Sequence, residues 1–152
     1  MTMKAIALFA ASVLVVGTVS AAPVRAHTSN FVDNLTLNFS GFTDDSMVYA
    51  SYQSDNGVNI VGPEIIKVST PSLVTIASTN MLENGYPSMT LAYNGTSCVL
   101  NFVDGPFAAV LAYRNGLAPN CTDITVSNIE RTAQYQYSVT VTPSDKNKKS
   151  AV

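Results

Sequence analysis

From Asp33 onward, apolar and polar residues alternate along the chain, and turn-forming residues interrupt the alternation about every eight to twelve positions. A period of two belongs to strands with one buried and one solvated face. Near the C-terminus Tyr135, Tyr137, Val139 and Val141 fall on one face, while Gln134, Gln136, Ser138, Thr140 and Thr142 fall on the other. The same alternation sets Leu35, Leu37 and Phe39 against Thr36, Asn38 and Ser40. It predicts further strands over 47–53, 58–61, 64–70, 73–79 and 123–129.

Two turns set a register for the middle of the chain. Asn94-Gly95 suits a two-residue type I′ hairpin, in which both central residues take positive φ. It pairs Tyr93 with Thr96, Leu91 with Cys98 and Met89 with Leu100. Asp104-Gly105 predicts a second hairpin, setting Phe102 opposite Phe107 and Leu100 opposite Ala109, although Pro106 cannot donate to the ladder and points to a wider loop. The stretch 107–113 is predicted as strand, with a short helix as the alternative. About nine or ten short strands in about 130 residues need two stacked sheets to bury their apolar faces. The predicted fold is an all-β, two-sheet antiparallel β-sandwich, Ig-like or jelly-roll-like, with a barrel as second choice.

The N-terminus follows a different pattern. Lys4 precedes an apolar run from Ala5 to Val19, and small residues follow at Ser20, Ala21 and Ala22. This is the arrangement of a cleavable export signal, and the run is shorter than the roughly 20 residues of a spanning helix. The sequence therefore predicts a signal over 1–21, with an alternative end at 26, a flexible leader over 22–32, a β domain over 33–142 and a basic tail over 143–152. Its expected destination is the periplasm or the outside of the cell, with no transmembrane segment. In such an oxidising compartment Cys98 and Cys121, the only cysteines, are expected to form a disulfide.

Charge narrows the choice of partners. Charged residues make up 12% of the chain and the formal charge is −2. Between Asp33 and Thr142, nine acidic residues against three basic ones leave −6, while Lys146, Lys148 and Lys149 make the tail basic. An acidic body is a poor match for nucleic acid.

Candidate chemistry is sparse. A single His, His27, rules out a serine or cysteine triad in the sandwich, because it precedes the first predicted strand. If the signal ends at Ala26, His27 becomes the N-terminus and its amine and imidazole offer two copper ligands, yet a histidine brace needs a second His. Asp55 and Asn56, with Ser54, Gly57 and Asn59, place oxygen donors on a tight loop that suits calcium, but the EF-hand spacing is missing and Asn56-Gly57 is itself a hairpin turn. Carboxylate pairs for hydrolysis are available by count, and two carboxyl groups meeting in a cleft would revive that reading. Four Asn-x-Ser/Thr sequons begin at Asn34, Asn38, Asn94 and Asn120. Tyr49, Tyr52, Tyr135 and Tyr137 are the candidate recognition aromatics, since a tyrosine ring combines an apolar body with a polar tip.

Together these features predict an exported, non-enzymatic β-sandwich that needs no cofactor and acts by binding a protein, glycan or surface. A structural subunit of a fibre or surface layer is the first alternative. A small secreted enzyme, using a carboxylate pair or copper at His27, is the second.

Overall fold

In a computed structural model, residues 31–79 and 82–144 are described. The expected signal, most of the leader with His27, and the lysines of the tail lie outside these residues. The described chain holds eleven strands and no helix: β1 (Phe31–Phe39), β2 (Met47–Gln53), β3 (Val58–Val61), β4 (Ile65–Lys67), β5 (Ser72–Ser78), β6 (Ser88–Tyr93), β7 (Thr96–Val103), β8 (Ala112–Tyr113), β9 (Ile124–Val126), β10 (Glu130–Ala133) and β11 (Gln136–Pro143).

They form the two sheets of a sandwich. One has the order β10-β11-β1-β5-β3, with β9 also pairing β11, and the other has the order β4-β2-β6-β7-β8. All the ladders are antiparallel except the one between β1 and β11, which is parallel and sets Leu35 beside Tyr137 and Leu37 beside Val139. A parallel pair needs a long crossover, and here almost the whole described chain serves as one. The first and last strands are thus neighbours in the middle of their sheet, where β1 is flanked by β11 and β5.

The core lies between the sheets and follows the alternation. Leu35 and Leu37 on β1, Val74 and Ile76 on β5, and Tyr137, Val139 and Val141 on β11 face Val48 on β2, Met89 and Leu91 on β6, and Cys98, Leu100 and Phe102 on β7. Each large aliphatic side chain removed from water contributes about 1.5–3 kcal/mol. The Asn94-Gly95 hairpin has the expected register, with Tyr93 opposite Thr96, Leu91 opposite Cys98 and Met89 opposite Leu100. Its φ angles of 50° and 80° are those of the predicted turn.

The Asp104-Gly105 hairpin does not form. Phe102 pairs with Tyr113 and Val103 with Ala112, so residues 104–111 make a loop and only Ala112–Tyr113 of the predicted 107–113 strand is strand. Phe107, expected inside opposite Phe102, is 72% exposed. Pro106 supplies the physical reason, since it offers no N–H to a ladder beginning at that turn. Tyr135 also departs from the expected pattern: it occupies a turn between β10 and β11 with φ 58° and is 40% exposed, while Tyr137, Val139 and Val141 keep the inward face. The Cys98–Cys121 disulfide ties β7 to the long connection between β8 and β9, with Cα atoms 5.4 Å apart.

Candidate functional site

The apolar stripes of two strands end in acids. On β1 the inward positions run Asp33, Leu35, Leu37, and along β7 they run Cys98, Leu100, Phe102 and then Asp104, one residue past the strand. Each carboxyl group therefore points where a core residue would point, one from each sheet. Asp33 and Asp104 are both 5% exposed, and their side chains hydrogen-bond to each other. Asp33 Oδ1 and Asp104 Oδ2 are buried, and no donor from the rest of the protein reaches them.

Two acids in contact away from water cannot both ionise cheaply, because desolvation and mutual repulsion favour the protonated form. Burial, then the charge and hydrogen bond of Asp104, push the Asp33 carboxyl up to about 7, against the pull of Arg131. Asp104 is also pushed up, by burial first, with the Gly105 backbone and Asp33 opposing. The pair holds a shared proton into the neutral range.

The acids line a cavity of about 150 Å³, with walls formed by Phe31, Pro106, Ala108, Ala109, Val110, Tyr135 and Tyr137. Phe31 and Tyr135 lie side by side with ring centroids 6.3 Å apart and planes tilted by 42°. Tyr137 is buried, and its hydroxyl is hydrogen-bonded to the backbone of Leu111. Burial, the first cause, pushes that phenol up, and the charges of both aspartates push the same way.

Loops hold this cavity open through defined contacts. Asp104 exchanges two backbone hydrogen bonds with Gly85, of 2.8 and 3.2 Å. Asn84 Oδ1 accepts from the N–H groups of Phe107 and Ala108, at 3.1 and 3.0 Å. Gly105, at φ 133°, passes so close to Asn84 and Glu83 that a Cβ would sit 3.0 to 3.1 Å from their atoms. One side-chain amide thus anchors a loop that has no ladder of its own.

The sequence-predicted residues divide among different places. Tyr135 and Tyr137 belong to the cavity. Tyr49 stands on the outer face of its sheet opposite Ile65 on β4, and both are exposed. Tyr52 donates its hydroxyl to the Pro63 carbonyl at 2.8 Å beneath Gly62, and burial, with the charge of Glu64 second, pushes it up to about 12. The four tyrosines therefore form no common patch. Asp55 and Asn56 flank a tight turn in which Asn56 and Gly57 have φ 45° and 75°. Asp55 Oδ2 accepts from the Tyr86 N–H at 2.9 Å, and Asn56 Nδ2 donates to Glu83 Oε2 and the Asn84 carbonyl, each at 3.1 Å. The proposed calcium loop is in fact a brace for the segment that carries Asn84 and Gly85. Among the described residues, no group of three or more His, Cys, Asp or Glu could hold a metal ion.

No family model, curated protein or solved structure matches the chain. Asp33 and Asp104 escaped the sequence reading because the first marked the start of the domain and the second was assigned to a hairpin turn. Extending each inward stripe by one step of two residues, to Asp33 from Leu35 and to Asp104 from Phe102, brings both to the same interior.

Proposed function

We propose that the protein is an exported, non-enzymatic binding module that recognises a partner through the cavity at the end of its sandwich. The observation that carries this reading is a buried carboxyl pair, Asp33 and Asp104, that lines a cavity beside Phe31 and Tyr135 and receives no donor at Asp33 Oδ1 or Asp104 Oδ2 from the rest of the protein. Carboxyl groups taken out of water with only each other as partner are costly, and a bound donor would offset part of that cost. Tyr135 adds support: a tyrosine held at φ 58° is strained, and such strain concentrates at ligand clamps. The Cys98–Cys121 disulfide fits an oxidising compartment, as export requires.

The same acid pair favours a second reading, a carboxylate hydrolase. Two acids sharing a proton can activate water, one as base and one as acid. Their direct contact is closer than the about 5 Å or more that glycosidase carboxylates keep. The cavity also has room for only a small group beside them, and binding is the better fit.

Amide NMR with a panel of small soluble fragments tests the binding reading. Hits should shift resonances of residues 31–33, 104–110 and 135–137 together. Hits confined to other surfaces, or no hits at all, would overturn it. Peptide or glycoside turnover by the wild type that vanishes in Asp33→Asn would favour the hydrolase instead.

A further inference from the structure

The cavity's size, wall and floor together specify a ligand class, an inference that rests on the cavity being the recognition site. We infer that it takes a primary alkylammonium group, the end of a lysine side chain presented by a partner protein, with the ammonium on Asp33 and Asp104 and the alkyl stem against the apolar wall. About 150 Å³ accommodates about five groups of water size, and a four-carbon chain with its nitrogen has that many heavy atoms. An ammonium group carries three N–H donors and no acceptor, matching a floor of two carboxyl groups to which the rest of the protein sends no donor at Asp33 Oδ1 or Asp104 Oδ2. A carboxyl torsion is broad and roughly two-fold, so either oxygen can turn to the ligand. Phe31 and Tyr135 line the same cavity, and an aromatic face attracts a cation that comes to lie over it.

Other ligands fit less well. A divalent metal ion wants six or more oxygen donors, and the side-chain oxygens of this lining are those of two aspartates and two tyrosines. An aminosugar would bury hydroxyls against Pro106, Ala108, Ala109 and Val110, which supply no side-chain partners. The lysine stem is apolar along its whole length.

Binding is coupled to protons. The titratable groups around the pair are Arg131 on β10, whose charge favours its ionisation, and Tyr137 on β11, which stays a neutral phenol at neutral pH. When the ammonium binds, the shared proton leaves the carboxyl pair for solvent and the ligand stays protonated, so charge and mass balance with one proton released. Affinity then rises with pH, by up to about tenfold per unit below neutrality.

The test is calorimetry and amide NMR on the disulfide-bonded exported protein with n-butylammonium, a blocked lysine tripeptide, glucosamine and n-butanol at pH 5 and pH 7. The expected result is butylammonium and lysine-peptide binding that is weaker at pH 5, releases more protons per ligand at pH 5 than at pH 7 and shifts the cavity resonances, with n-butanol and glucosamine at least tenfold weaker. Asp104→Asn should lower butylammonium affinity at least tenfold. Ala109→Leu, which fills the cavity and leaves both acids in place, should do the same. Equal binding of butanol and butylammonium, binding unchanged by both variants, or glucosamine as the tighter ligand overturns the inference. If cavity resonances respond only to neutral fragments, the ammonium assignment fails while the binding site stands. If they respond to nothing, both fail.

Discussion

Asp33 and Asp104 reach each other from opposite sheets because each continues an inward-facing stripe one step past its last apolar residue, Leu35 on β1 and Phe102 on β7. The contact closes one end of the sandwich with two acids where two apolar side chains would have packed. Taking two carboxyl groups out of water costs stability that two apolar side chains would have added.

The pair makes stability depend on pH in a direction opposite to that of salt-bridged acids. An aspartate in the unfolded chain titrates near 3.8, whereas Asp33 in the fold is pushed up to about 7. Between those values the folded chain holds more protons than the unfolded one, so unfolding free energy falls as pH rises. The Asp33 contribution levels off above about 7, where that carboxyl is ionised in both states. Urea denaturation from pH 4 to 8 should show the decline, and Asp33→Asn should flatten it. Profiles for wild type and variant that run parallel would show that the pair is not responsible.

Tyr135 exchanges stability for position. In the left-handed region a residue with a Cβ costs roughly 1–2 kcal/mol, and asparagine tolerates that region far better than tyrosine. Asn56 and Asn94, also at positive φ, show the ordinary choice, each followed by a glycine. Tyr135→Asn should therefore raise stability by about 1 kcal/mol while removing a wall of the cavity. Thermal melts and butylammonium titration on the same variant check both halves. A lower melting temperature would mean that packing against Phe31 outweighs the backbone strain.

Most of the fold was legible because its strands bury one face each. Met47–Gln53 and Val58–Val61 are strands over the expected residues, and the Asn94-Gly95 hairpin has the expected register. What escaped was set by contacts distant in sequence. The β1–β11 parallel pair leaves no local trace, since strand direction is not written in the alternation of either segment. Asp104-Gly105 has the composition of a hairpin turn, yet Gly85 captures the Asp104 backbone and Asn84 captures the loop after it. Asp55 and Asn56 looked like ligands for an ion because the same oxygen and amide groups satisfy backbone donors and neighbouring side chains.

The disulfide should matter more to global stability than any one loop contact. Closing a loop between residues 23 apart in sequence is worth roughly 3 kcal/mol on the chain-entropy view. Cys98→Ala with Cys121→Ala should lower the urea midpoint accordingly and raise the denaturant slope somewhat, because the unfolded chain without its cross-link exposes more surface. A loss below about 0.5 kcal/mol would mean that the connection between β8 and β9 is already constrained when the protein unfolds.

Asn84 offers a way to separate the loop from the sandwich. Its carboxamide oxygen receives both the Phe107 and Ala108 N–H groups, and its own backbone carbonyl, which any substitution keeps, receives Asn56. Asn84→Ala removes two hydrogen bonds worth about 1 kcal/mol each from a loop without ladder partners. Local opening lies at the low end of the stability range, so amide exchange at Phe107 and Ala108 should speed by about tenfold or more while exchange in β6 and β7 stays slow. Butylammonium affinity should fall with it, because Pro106, Ala108, Ala109 and Val110 would no longer be held in place as a preformed wall. Exchange that quickens equally across both sheets would instead make Asn84 part of the cooperative core, and unchanged exchange would show that Gly85 alone holds the loop.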